Sequence, residues 1–156
     1  LFRSVRTDCE KASGLLIAAL HAGKPIDTTY IESLRVSANL LHYEATRFLW
    51  AAVIADRWDN AMLVSKQNNF VYYDISYICH GLIQDVMDEL GTLKDDYSAA
   101  WSAESMPYRK HTILSRFDVE FGLWQKLLLK VIDYRIKHSA DHVAPGSFVD
   151  SFHPDF

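Results

Sequence analysis

His138 and His142 stand four residues apart, the spacing at which two imidazoles on one helix face could share a metal ion. Asp141 lies beside them. They fall where a helix is expected to give way to a tail, and a helix C-terminus favours a cation in its own right. Capping or incidental histidines are therefore expected there, as for His21 near another helix end. Di-metal carboxylate bundles need Glu-x-x-His pairs, because side chains at i and i+3 share a helix face. None of Glu10, Glu32, Glu44, Glu89, Glu104 or Glu120 is followed by a histidine three residues later, and His42 and Glu44, two apart, point to different faces. Asp85, Asp88 and Glu89 cluster beside Gln84, and Asp95 and Asp96 follow Lys94. Paired carboxylates do acid/base work only when burial splits their pKa values. The surrounding pattern places most of these on a polar, solvated helix face. Cys79 and His80 are adjacent, so on a helix they diverge by about 100° and cannot pair as thiolate and imidazole. No G-x-S-x-G elbow, P-loop or G-x-G-x-x-G occurs. No catalytic, cofactor-binding or metal-ligating residue is expected in this chain.

The elements that would position these residues are helical almost throughout. A first helix is expected from about Arg6 to Ala22, with Leu15, Leu16, Ala19 and Leu20 on one side. Gly23 and Pro25 stop it. Asp27 can cap the next helix by accepting from its free backbone N–H groups. Ile31, Leu34, Ala38, Leu41, Ala45, Phe48, Leu49 and Ala52 then recur at three and four, the stripe of an amphipathic helix reaching Asp56 or Trp58. Ala38, Ala45 and Ala52 would let a neighbouring helix approach closely. Asp59 and Asn60 mark a turn. A third helical region runs through Val71, Ile75, Ile78, Leu82, Val86 and Leu90, flanked by Tyr72, Tyr73 and Tyr77. Gly91 and Thr92 end or weaken it, while Leu93, Tyr97 and Trp101 keep the period. Pro107 imposes a boundary. The last helix runs from Tyr108 or Thr112 to Lys137, with Ile113, Phe117, Phe121, Trp124, Leu128, Val131 and Arg135 along one strip. The expected fold is all-α: an antiparallel bundle of about four long helices over residues 1–138, with an extended C-terminal tail over 139–156.

Composition narrows the function classes. The 156 residues suit one domain, and no staple is needed to stabilise a chain of this length. Sixteen Lys and Arg against twenty Asp and Glu give a formal charge of −4, which disfavours nucleic-acid partners and anionic membranes. No apolar run is long enough to span a membrane. Two cysteines, Cys9 and Cys79, cannot form a disulfide framework, and their apolar neighbours suggest buried, inert thiols. No secretory leader pattern opens the chain. Leu1 in place of Met suggests an excerpt or a processed product.

The stretch from Tyr97 to Phe117, YSAAWSAESMPYRKHTILSRF, resembles a segment in the helical C-terminal regions of family 20 glycoside hydrolases, the β-N-acetylhexosaminidases. There a Leu-Trp, a short Glu-Asn-Arg-Pro-like step and a later Arg-Phe or Arg-Leu recur between two long helices. Trp101, Glu104, Pro107, Arg116 and Phe117 match that pattern, while Ser105 and Met106 stand in place of Asn and Arg. Leu40 to Arg47, LLHYEATR, looks like the preceding helix of such a domain. The resemblance implies a secreted or periplasmic parent enzyme that removes terminal N-acetylhexosamine. Its chemistry would use an Asp–Glu pair on a catalytic barrel, the Asp orienting the substrate's own acetamido nucleophile and the Glu acting as general acid. Neither Asp95-Asp96 nor Asp88-Glu89 is that pair, since the His-Gly-Gly context is missing. The chain would then be a non-catalytic accessory domain. Its partner would be the catalytic domain of the same parent chain and, through it, carbohydrate: aromatics such as Trp58, Tyr72, Tyr73 and Tyr108 would cover that neighbour or stack on sugar, although core packing accounts for each of them more cheaply. The alternative is a stand-alone bundle that binds a small apolar ligand or a partner helix.

Overall fold

A computed structural model describes residues 1–23, 27–63, 68–104, 109–138 and 147–148, with the side chains of 61–63, 68–70 and 138 left out. Five helices follow one another: α1 (Phe2–His21), α2 (Thr28–Leu63), α3 (Asn68–Ser76), α4 (Leu82–Glu104) and α5 (Lys110–His138). No strand occurs among the described residues, so the all-α reading holds.

The helix ends follow local chemistry. Gly23 adopts φ 70°, the left-handed region that glycine enters without a Cβ clash, just beyond the α1 terminus. Asp27 Oδ1 accepts the Tyr30 N–H at 3.1 Å, as a capping carboxylate should. The α5 helix opens from Arg109, whose carbonyl accepts the N–H groups of Thr112 and Ile113. Arg109 itself sits at φ 63°, an unfavourable region for a residue with a Cβ. Pro107, the expected boundary, lies outside the described residues.

The α1 helix begins at Phe2, ahead of the expected Arg6, and two later boundaries also differ from the sequence pattern. First, α2 continues past Asp59 and Asn60 to Leu63. Each of those residues costs a helix less than about 1 kcal/mol, whereas Trp58 beside them is fully buried, and burial of that size outweighs propensity. Second, the region from Val71 to Leu90 is two helices. The chain leaves α3 after Ser76, and Ile78, expected in the buried stripe, is 67% exposed. Gly81 forms the return: its N–H donates to Tyr77 O at 2.8 Å, and its carbonyl accepts Asp85 N–H at 3.0 Å to start α4. A Cβ on Gly81 would lie 2.5 Å from Tyr77 N, so only glycine closes this turn without displacing backbone. Gly91 and Thr92 do not interrupt α4.

The chain forms two compact units, Leu1–Leu49 with Glu89–Val119 (unit 1) and Trp50–Asp88 with Glu120–Phe156 (unit 2). In unit 1 the register is antiparallel throughout. Phe2 stacks on Phe48, and Glu10 reaches His42, so α1 runs against α2. Ser33 donates to Glu104, Arg35 to Asp96, and His42 meets Glu89, so α2 runs against α4. Lys94 pairs with Asp118, and Lys110 donates to Ser102, so α4 runs against α5.

Unit 2 holds the tighter core. Ile54, Trp58, Ile75, Ile83, Val86 and Val131 are all completely buried there. Trp58 packs against Tyr72 (4.7 Å between centroids), Tyr134 (5.0 Å) and Phe148 (6.2 Å). These tilted and edge-on contacts put positive ring edges against negative faces. The Phe148 N–H donates to Asp59 Oδ1 at 2.7 Å, so the described part of the tail docks on the bundle. The other tail residues lie outside the described set.

Candidate functional site

Unit 1 presents its polar chemistry along α2 and α4. His42 stands on α2 between two carboxylates: its Nδ1 is 2.9 Å from Glu89 Oε1 on α4, and its Nε2 is 3.2 Å from Glu10 Oε1 on α1. Arg6 Nε donates to the same Glu10 oxygen at 3.0 Å. The Arg6 guanidinium, with a second contribution from His42, holds the exposed Glu10 carboxyl below its usual pKa. One helical turn or two along α2, Arg35 donates to Glu32 at 2.7 Å and to Asp96 at 2.9 Å. Those two carboxylates raise the guanidinium's pKa further, Asp96 more than Glu32.

Two open grooves follow this seam. One, of about 230 Å³, is lined by Asn39, His42, Tyr43, Glu89, Thr92, Leu93 and Asp96. The other, about 380 Å³, has a wall of Ala99, Ala100 and Ala103 on α4, facing Thr28, Thr29, Glu32, Arg35 and Val36 on α2. Neither combines a nucleophile with a free base. The ring that could act as base has carboxylates on both nitrogens, and Asp96 is engaged by Arg35. Among the described residues no group of three or more His, Cys, Asp or Glu side chains is arranged to hold a metal ion. His142 lies outside the described residues, as does the side chain of His138.

The acidic residues of α4 divide. Asp85, Asp88 and Asp95 face solvent as expected, whereas Glu89 and Asp96 turn toward α2 and form the pairs above. Cys9 is buried, but Cys79 is exposed, because it falls in the turn between α3 and α4 and not on a helix face.

A second surface emerges where a core was expected. On α2 the stripe residues Leu34, Leu41 and Phe48 are 40%, 57% and 47% exposed, and Tyr30 is 61% exposed. In the unit 1 part of α2 the buried positions are Val36, Tyr43, Thr46 and Ala45, the last a member of the expected stripe. Both sets satisfy a helical period, and the sequence alone does not say which one turns inward. Tyr30, Leu34, Ser37, Leu41, Glu44 and Phe48 are spaced 4, 3, 4, 3, 4, and all are exposed. The spacing has a 3.5-residue period, with Tyr30, Leu34, Leu41 and Phe48 apolar along it and Ser37 and Glu44 polar. Leu34, Leu41 and Phe48 repeat every seven residues along it.

Two of the family-pattern residues, Trp101 and Phe117, gather around Tyr97 in unit 1. Trp101 is half-buried and stacks on Tyr97 (6.2 Å), and Phe117 lies 5.5 Å from the same ring. The Trp101 indole N–H finds no acceptor among the described residues. Glu104 accepts from Ser33 Oγ, Arg116 is exposed, and Pro107 is not described. Of the surplus aromatics, Trp58 and Tyr72 are core. Tyr73 is half-exposed, with Tyr77 stacked at 4.9 Å and the Arg135 guanidinium 5.0 Å from its ring. Tyr108 lies outside the described residues.

Sequence reasoning missed the Glu10–His42–Glu89 cluster. Its members are 32 and 47 residues apart, so no local motif marks them; only the antiparallel register of α1, α2 and α4 brings them together. No protein-family model matches this chain, and neither a curated protein nor a solved structure does.

Proposed function

We propose that this chain is a non-catalytic helical module whose α2 strip packs against a neighbouring protein surface. The observation that carries this reading is the exposed seam Tyr30, Leu34, Leu41 and Phe48. Soluble monomers rarely leave contiguous apolar patches of more than a few hundred Å² uncovered, and larger ones mark interaction sites. A 3.5-residue period suits a helix as the covering element.

In its narrower form the neighbour is the catalytic barrel of a β-N-acetylhexosaminidase-like hydrolase in the same parent chain. What supports this form is the run from Trp101 to Phe117, whose aromatic members gather around Tyr97 at the α4–α5 end of unit 1. The test is the intact mass of the native protein, with an assay on an aryl N-acetylglucosaminide. A mass several times 17.9 kDa, with turnover by the long form and none by this chain, is the expected result. Turnover by this chain alone would overturn the accessory role. A native mass near 17.9 kDa would remove the hydrolase and leave a free bundle that takes a partner helix.

A further inference from the structure

We propose that Glu10, His42 and Glu89 form a pH-operated latch, tying α1 to α2 and α4 while His42 is protonated and loosening α1 when the ring is neutral. An imidazolium donates from both nitrogens at once, whereas a neutral imidazole has one N–H and one lone pair. Here each nitrogen meets a carboxylate oxygen, at 2.9 Å on Glu89 and 3.2 Å on Glu10. A carboxylate offers only acceptors, so both contacts are satisfied only with a proton on each nitrogen. Removing one proton turns a lone pair toward an anionic oxygen, and one carboxylate must withdraw.

Glu10 is the one free to leave. Its side chain is 49% exposed against 33% for Glu89, and it keeps Arg6 as a partner when His42 lets go. The α1 helix is lightly held otherwise. Only Cys9 among its 20 residues is buried, and Phe2 adds one stack on Phe48. Losing the half-exposed Glu10–His42 tie removes a polar link between α1 and α2, while the half-buried Val5, Leu16 and Leu20 stay in place.

Gain of a proton by the ring closes the latch and its loss opens it, so the more acidic of two conditions favours the closed form. The groups that face the ring are few. From α1 they are Glu10 with its Arg6; from α4, Glu89 and Asp96, the latter held by Arg35; from α2, Tyr43 in the same groove. Among the described residues no α5 residue lines this groove, and the α5 carboxylate Asp118 pairs with Lys94. The latch does not depend on what covers the α2 strip.

Amide hydrogen exchange on the full chain at about pH 5.5 and about pH 8, corrected for intrinsic rates, tests it. Protection of α1 should fall by about tenfold at the higher pH, while α4 and α5 amides hold theirs. In Glu89→Gln the new amide can donate to the neutral ring, so α1 should stay protected at both pH values. Equal α1 protection in the wild type at both pH values would overturn the latch. So would a Glu89→Gln chain that keeps the wild-type fall. If Glu89→Gln unfolds, seen as lost α4 and α5 protection, His42→Gln decides: pH-independent α1 exchange supports the latch, and a retained fall overturns it.

Discussion

Glu10 and Tyr72 show how neighbours set the ionisation of single residues in opposite directions. Arg6 and His42 stabilise the Glu10 carboxylate and lower its pKa. A carboxyl lowered in the fold contributes stability that is present above its unfolded pKa and lost as pH falls through the folded value. A titration by NMR should find Glu10 below the ordinary glutamate value, and Arg6→Ala should move it up; an unmoved Glu10 would count against the pair. Burial, helped by Tyr134, pushes the Tyr72 phenol up to about 12. Its folded pKa exceeds its unfolded one, so the associated stability is intact below about pH 10 and drains away as pH rises toward 12. The Tyr72 hydroxyl also finds no hydrogen-bond partner among the described residues. An unsatisfied buried hydroxyl costs about 1–3 kcal/mol, so Tyr72→Phe should leave stability unchanged or raise it by about 1 kcal/mol. Denaturant melts would check this, and the most alkaline step of the phenolate absorbance titration should vanish with it. The Arg6–Glu10 spacing of four is legible in the sequence, whereas the His42 contact and the burial of Tyr72 beside Tyr134 depend on partners from other helices.

At the scale of elements, periodicity located nearly every helix, and Gly23 and Asp27 marked two of their ends. Asp27 and Gly23 act through local backbone chemistry, which a short window of sequence contains. The errors came where tertiary packing outweighed local preference. Trp58 draws α2 past Asp59 and Asn60, and the Gly81 turn splits what reads as one stripe. Because a Cβ at Gly81 would strike the Tyr77 backbone, Gly81→Ala should lower unfolding free energy by about 1–3 kcal/mol. The same change at Gly91, which meets nothing within 4 Å and lies inside α4, should instead be stabilising by up to about 1 kcal/mol. Thermal or denaturant unfolding of the pair separates the two predictions, and a neutral Gly81→Ala would mean the turn is looser than its contacts imply. Trp58→Ala, which empties the centre of the aromatic cluster, should cost about 3–5 kcal/mol.

The two units of the whole molecule differ in character. Among the described residues, the completely buried large side chains all lie in unit 2, and unit 1 carries the polar seam, the open grooves and the exposed α2 strip. That contrast is the physical basis for assigning packing against a neighbour to unit 1. The amphipathic stripe on α2 was visible in the sequence, but its direction was not. A repeat every seven residues serves a core or an interface equally well, and only the placement of α1 and α4 decides which. The Trp101 to Phe117 resemblance likewise names a pattern without saying what lies against it. Sedimentation of the isolated chain and its Leu41→Glu variant, with a hydrophobic dye in parallel, addresses the strip most directly. The account predicts that the wild-type chain self-associates with rising concentration and binds dye, and that Leu41→Glu keeps its helicity but loses both. A monodisperse wild-type monomer that binds no dye, and that Leu41→Glu leaves unaltered, would contradict it.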